Sequence, residues 1–237
     1  MHIVSLGALL AGSLLVPLGA APSGWQSLSI EQKVNPIFPR HLLNLGVTRG
    51  EGSIVIDTDA DGKLVDWLAT GYTNKEFADA AVTAIKQWNY TPARLNGEPV
   101  GTIVELDFQY SSQGIVVSTT TVTDFVEARN LQMLAGSFAS FPCAPRELDR
   151  VPTAIVKIVP FYGTDLAKKG IKGSVRVNFY IDETGAVRMP SVAAEDGGLL
   201  TTLAIEALKQ WKFSPPTCRG RAVLVKASEE FRFGGGS

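Results

Sequence analysis

Two hydrophobic periods alternate along this chain. "SIVIDTD" (53–59) sets Ile54, Ile56 and Thr58 on one face of an extended segment, and "RVNFYID" (176–182) does the same with Val177, Phe179 and Ile181. A period of two marks a strand buried on one side. Each run is followed by a turn sequence, "DADGK" or "DETGA", with Gly where a hairpin needs positive φ. A second strand comes next, "LVDWLAT" (64–70) or "VRMPSVA" (187–193). The period then changes. Phe77, Ala80, Ala81, Ala84, Ile85 and Trp88 share one helical face, as do Leu200, Leu203, Ala204, Ala207, Leu208 and Trp211. Thr73 and Glu76 have capping-box spacing ahead of the first helix. Pro92 and Pro215 bar either helix from continuing. A third strand closes each set, "TIVELDFQY" (102–110) and "LVKASEEFRF" (224–233).

The two sets read as copies. A gapless shift of 123 lays Gly50 on Gly173, Asp59 and Gly62 on Asp182 and Gly185, and "KQW" (86–88) on "KQW" (209–211). It also lays Pro92, Gly97, Val100 and Phe108 on Pro215, Gly220, Val223 and Phe231. Ahead of Gly50 the shift is 124, with "FPRHLLNLG" (38–46) over "YGTDLAKKG" (162–170). Agreement falls on the Gly, Pro, Trp and apolar positions that fix backbone and core, as an internal duplication requires. The pattern predicts an α+β chain of two tandem small domains, 36–112 and 148–233. The connector 113–147 reads as a strand over 114–123, a short helix over 124–134 with Asp124 and Glu127 as its capping box, and a linker over 135–145. Trp88 and Trp211 are expected to be core, each sealing its helix against the sheet before Pro92 or Pro215 turns the chain into the last strand.

The 237-residue length suits one large or two small domains. Apolar residues at 45% supply real cores, and a net charge of −1 without a Lys/Arg run argues against nucleic acid as a partner. Residues 3–21 are apolar or small and uncharged, ending Gly19-Ala20-Ala21. Three readings stand: a cleaved secretory signal, a retained membrane anchor, or a buried core segment. The first two put the body of the protein outside the cytoplasm, with membrane association only if the segment is retained. Residues 22–35 form a short linker, and 234–237 a flexible tail. Cys143 and Cys218 are an even pair that invites a disulfide in an oxidising compartment; two unrelated buried thiols is the alternative.

These residues resemble the TonB C-terminal domain family. In the second copy the resemblance is carried by Tyr162, Leu166, "GIKG" (170–173), "IDETG" (181–185), "ALKQWKFSPP" (207–216), Gly220 and Val223, with "LDRVPTAIVKIVPFY" (148–162) leading in. In the first it is carried by "FP" (38–39), Gly46, Gly50, "DADG" (59–62), "AIKQWNYTPA" (84–93) and "NGEPV" (96–100). The resemblance implies, for each copy, a three-stranded antiparallel sheet packed by one or two helices. It also implies periplasmic work tied to transmembrane transport, in which a sheet edge pairs with an extended segment of an outer-membrane receptor. The chain departs from the family's energy transducers. Its apolar segment holds only His2, and about 14 residues, at most ~50 Å of extended chain, precede the first domain. No Pro-rich spacer is present, and Gly163 stands where the family usually has Pro. The competing function is a structural envelope protein whose paired domains dimerise or assemble a complex.

Catalytic chemistry finds little footing. "DTDADG" (57–62) begins like a calcium loop but has Leu68 where the bidentate Glu is required, so it reads as a turn. Only His2 and His41 are present, and no nucleophile, phosphate-loop or dinucleotide motif occurs. The reading is a non-enzymatic binding protein without metal or cofactor. Its partner is a receptor segment or another envelope protein, with a homodimer left open. By the resemblance, the last strand of each copy is the expected partner-binding edge: Ile103, Glu105, Asp107 and Gln109, and Leu224, Lys226, Ser228 and Glu230. The first of the two, alternating cleanly with Ile103, Glu105 and Asp107 outward, is expected to be the better acceptor. Lys226, Glu229 and Glu230 crowd the second as edge protection.

Overall fold

The computed structural model describes residues 24–121, 143, 145–192 and 198–234. The apolar segment 3–21 and the helix expected over 124–134 lie outside the described residues. In the first half, α1 (Arg40–Asn44) precedes β1 (Arg49–Thr58) and β2 (Leu64–Tyr72), followed by α2 (Lys75–Ile85), β3 (Thr102–Ser111) and β4 (Gly114–Thr121). In the second half, α3 (Thr164–Lys168), β5 (Gly173–Ile181), β6 (Val187–Ser191), α4 (Leu199–Leu208) and β7 (Val225–Phe233) follow. Both main sheets are antiparallel, in the order β2-β1-β3-β4 and β6-β5-β7. The fold is α+β.

Each sheet turns one face to its helix. Ile54, Ile56, Val104, Leu106 and Phe108 pack on Phe77, Ala81 and Ile85 of α2. Val175, Val177, Phe179, Ile181 and Phe231 pack on Ala204 and Leu208 of α4. The alternate residues face away from the helices and meet one another. Val55, Leu68 and Ile103 of the first sheet form a separate cluster with Tyr180, Met189 and Leu224 of the second half. The layers therefore run helix, sheet, sheet, helix.

The helices are shorter than their apolar stripes suggest. α2 ends at Ile85 and α4 at Leu208, well before Pro92 and Pro215. The chain then tightens to three-residue bonds, with Trp88 N–H on the Ile85 carbonyl at 3.2 Å and Trp211 N–H on that of Leu208 at 3.0 Å. That turn keeps each Trp on the buried side, 5% and 4% exposed. Helix α2 is capped by Asn74, whose side chain accepts from Glu76 N–H at 3.0 Å. Thr73 instead exchanges hydrogen bonds with the Glu51 backbone, 2.9 and 3.3 Å, tying the helix start to β1.

"DTDADG" folds as a turn. Asp59 Oδ1 accepts the N–H groups of Asp61 and Lys63, 3.0 and 2.8 Å. Asp182 Oδ1 accepts from Thr184 N–H and Ala186 N–H, both at 2.9 Å. Gly62 and Gly185 close these turns at φ 77° and 82°, pressed so tightly that a Cβ would lie 2.3 Å from the Tyr90 carbonyl oxygen or 2.0 Å from that of Phe213.

Candidate partner-binding site

The third strand of the first half is not an edge. β3 pairs with β1 along its whole length from Thr102 to Ser111, and on its other side with β4 from Val104 to Ser111. The expectation that Ile103, Glu105, Asp107 and Gln109 lie on an unpaired edge is therefore corrected. Ser112 and Gln113 form a tight hairpin, and the connector's strand folds straight back onto the row of N–H and C=O groups. Nor does their outward face meet water throughout. Gln109 is exposed, but Glu105 is 8% exposed and Ile103 joins the cluster between the sheets.

β7 differs. It pairs with β5 in unbroken register from Val225↔Ile181 to Phe233↔Gly173, and no strand among the described residues covers its other edge. Its two ends have different surroundings. Leu224, just before the strand, and Lys226 are held between the sheets, whereas Ser228, Glu230 and Arg232 are exposed. Glu230 accepts from Arg232 Nη2 at 2.8 Å at the surface. Glu229 falls on the helix-facing side, where the first half has Leu106, and is matched by Lys157 Nζ at 3.3 Å.

Lys157 belongs to the segment that leads into the second half, and this segment repeats an arrangement of the first. Ser29–Gln32 pairs with Asn89–Thr91, with Ile30↔Tyr90 and Gln32↔Asn89. Ala154–Val156 pairs with Lys212–Phe213, with Ala154↔Phe213 and Val156↔Lys212. Trp88 Nε1 donates to the Val34 carbonyl, and Trp211 Nε1 to the Ile158 carbonyl, both at 2.7 Å. Lys33 and Lys157 lie over the same two indoles, 6.0 and 4.4 Å from the ring centroids. The surfaces differ. Glu31, Gln32 and Asn35 are exposed in the first segment; Ile155, Val156 and Val159 are exposed at the matching places in the second, 65%, 45% and 80%. Phe161 beside them is 83% exposed. The same backbone accepts polar residues there, so folding does not require the apolar ones. This strip was missed in the sequence. Extending the 124-residue shift back over 31–35 and 155–159 would have revealed it.

Between the sheets the remaining sequence-predicted residues come together. Burial raises the Glu105 carboxyl above its ordinary value, while Lys226 across the interface opposes the rise. Burial lowers the Lys226 amine, opposed by Glu105. Thr70 Oγ1 donates to Glu105 at 3.2 Å, Ser53 Oγ donates to Asp107 at 2.6 Å, and Lys226 Nζ lies 5.5 Å from the Tyr180 ring centroid. Met189 takes a left-handed conformation, φ 50°, at a register shift between β5 and β6, and its side chain joins the inter-sheet cluster. Burial also raises Asp57 to about 6, with Lys209 of the second half opposing and Asp66 and Asp59 reinforcing. This face is a docking surface within the chain; among the described residues the outer edge of β7 carries no paired strand and the apolar strip is exposed.

Residues 159–234 match the family described as Gram-negative bacterial TonB protein C-terminal. A stretch of 90 residues is 29% identical to Protein TonB of Vibrio cholerae serotype O1 (strain ATCC 39315 / El Tor Inaba N16961), covering 38% of this chain and 37% of that protein. The chain thus matches little more than a third of its curated relative's length. Among the described residues no helix is long and apolar enough to cross a membrane. The matched stretch holds all of β5, β6, α4 and β7, so the similarity to the TonB C-terminal family falls on the second half of the chain.

Proposed function

We propose that this chain is a TonB-like protein-binding module of the bacterial envelope, linked to transmembrane transport. The second half takes the partner: an extended segment of an outer-membrane receptor adds alongside β7, with main-chain bonds giving affinity and the apolar strip at Ile155, Val156, Val159 and Phe161 giving side-chain contacts. The observation that carries this reading is the contrast, among the described residues, between β7, paired on one side, and its counterpart β3, paired on both. The sequence preference for the first copy as acceptor is accordingly reversed. The first half is proposed to be a second, tandem TonB-like domain that supports the first sheet-to-sheet contact and takes no receptor segment. The apolar segment 3–21 supports export to the periplasm.

The test is titration of a synthetic receptor-derived peptide into the isotope-labelled chain, followed by NMR. Shifts are expected at 225–233 and 154–161. Shifts confined to 114–121, the outer strand of the first sheet, would refute the assignment. Binding by the variants Ser228→Pro and Glu229→Pro gives a second check: neighbouring residues on a strand point their N–H groups to opposite edges, so one of the two loses a main-chain donor on the open edge, and in that variant affinity should fall at least tenfold. Unchanged affinity in both folded variants would favour the competing reading, assembly of an envelope complex through another face.

A further inference from the structure

The segment leading into the second half wraps the hairpin made by Thr217–Cys218 and Arg221–Ala222. Cys143 N–H donates to the Leu224 carbonyl and Asp149 N–H to the Thr217 carbonyl, both at 2.9 Å. Asp149 also receives the turn itself: its carboxylate accepts the N–H groups of Arg219 and Gly220, each at 2.8 Å. Cys218 Sγ donates to the Glu147 carbonyl at 3.3 Å. In the middle of this wrap the Cys143 and Cys218 thiols are hydrogen-bonded neighbours, and neither is in a disulfide. Cys143 is buried and Cys218 half-buried. Backbone bonds on both sides of the pair thus hold the two sulfurs near each other without any covalent link.

We propose that Cys143 and Cys218 are an oxidisable pair, closed to a disulfide by a disulfide-bearing oxidant, which staples Cys143, at the head of the strap 145–149, onto the hairpin 217–222. Cys218, the more accessible, reacts first: its thiolate attacks the oxidant's S–S bond, forms a mixed disulfide and releases one oxidant thiol. The Cys143 sulfur, its proton lost to solvent, then attacks the Cys218 sulfur and expels the second oxidant thiol. Two protein thiols lose two electrons and two protons, and one oxidant disulfide becomes two thiols. Burial pushes the Cys143 thiol up to about 12, so the second step is the slow one. The bond would fix the strap beside Leu224, which lies in the inter-sheet cluster, and so hold the two halves in their docked arrangement. The closed loop joins positions 75 apart, long enough for a large loss of freedom in the unfolded chain.

The full chain, folded and pre-reduced, is incubated with oxidised glutathione, quenched with acid and mapped by mass spectrometry without reduction. The expected product is a monomer lighter by two hydrogens, with the peptides holding Cys143 and Cys218 linked. Its Tm should rise by about 5–10 °C over the reduced chain, and amide exchange at 217–224 should slow. Cys143→Ser and Cys218→Ser should fold with nearly the reduced chain's Tm and show no rise with oxidant. A persistent glutathione adduct on Cys218, a disulfide-linked dimer, or an internal disulfide that leaves Tm unchanged would each overturn the proposal.

Discussion

Arg188 and Asp66 join the two halves by a forked ion pair. Nη2 of the guanidinium donates to Asp66 Oδ1 at 2.7 Å and Nε to Oδ2 at 3.2 Å, while Nη2 also reaches the Trp67 carbonyl at 2.9 Å. Both side chains remain partly exposed, so water screens the pair. A double-mutant cycle on Arg188→Ala and Asp66→Ala should give a coupling of about 1 kcal/mol, the upper end for an exposed pair with ideal geometry. Zero coupling in urea denaturation would mean that the contact contributes shape alone.

Glu105 and Lys226 should couple more strongly, since the first is nearly enclosed. Lys226→Met leaves a buried carboxylate facing an apolar neighbour and should cost about 3 kcal/mol at neutral pH. The double variant Glu105→Gln/Lys226→Met removes both charges and should recover most of that loss. If the double variant is as unstable as the sum of the single ones, the two residues do not act on each other across the interface.

This pair also shows where the sequence could be read and where it could not. Strand alternation, turn glycines and the two Trp residues carry information about their own segment, and β1, β2, β3, β5 and α2 stand close to where the periods put them. The run 114–123 was read as a strand too. What its pattern does not contain is the strand it pairs with, so β3 reads as an edge although its cover begins three residues further on. Glu105, Asp107 and Lys226 look solvent-facing because a charged residue within alternation usually is. Here each is matched by a group from a distant segment or the other half, and no local pattern encodes that. Thr73 and Asn74 illustrate the same limit at one-residue scale: both can cap, and the backbone of β1 takes Thr73.

Acid should stabilise the chain. Asp57 titrates near 6 in the folded protein against an ordinary value of 3.8, so the folded state holds a proton that the unfolded chain releases. The resulting gain is complete below about 3.8 and is lost as pH rises through about 6. Tm should therefore fall between pH 4 and pH 6 and flatten above it. Asp57→Asn, which mimics the protonated acid, should be more stable than the parent at pH 7 and show a shallower slope. Some slope should remain, because burial raises Glu105 and Asp107 in the same direction. A Tm that rises between pH 4 and 6 would contradict the assignment.

Trp88 and Trp211 each hold a lead-in segment by one indole hydrogen bond as well as filling a core. Either Trp→Ala should cost roughly 3–5 kcal/mol. Trp→Phe keeps most of the ring volume and removes the donor, at about 1–2 kcal/mol. In Trp211→Phe the loss should appear as faster amide exchange at 154–158, with 29–34 unchanged; Trp88→Phe should show the reverse. Exchange that quickens equally in both segments would mean that the halves open as one cooperative unit.

The apolar strip allows fold and function to be separated with residues the protein already uses. Glu31, Gln32 and Asn35 occupy, in the first half, the places that Ile155, Val156 and Val159 occupy in the second; the first two of each set lie on short strands paired in matching register and the third just beyond them. The triple variant Ile155→Glu, Val156→Gln, Val159→Asn therefore places polar side chains on a backbone that carries them elsewhere in the same molecule. Because all three positions are exposed, stability should change by less than about 1 kcal/mol. If the strip supplies side-chain contacts to the receptor segment as proposed, removing its three apolar side chains should weaken a receptor-derived peptide at least tenfold, a loss of about 1.4 kcal/mol. Calorimetric titration against the parent chain measures it. A variant that unfolds would show the strip to be part of the core, and one that binds the peptide unchanged would confine recognition to the main chain of β7.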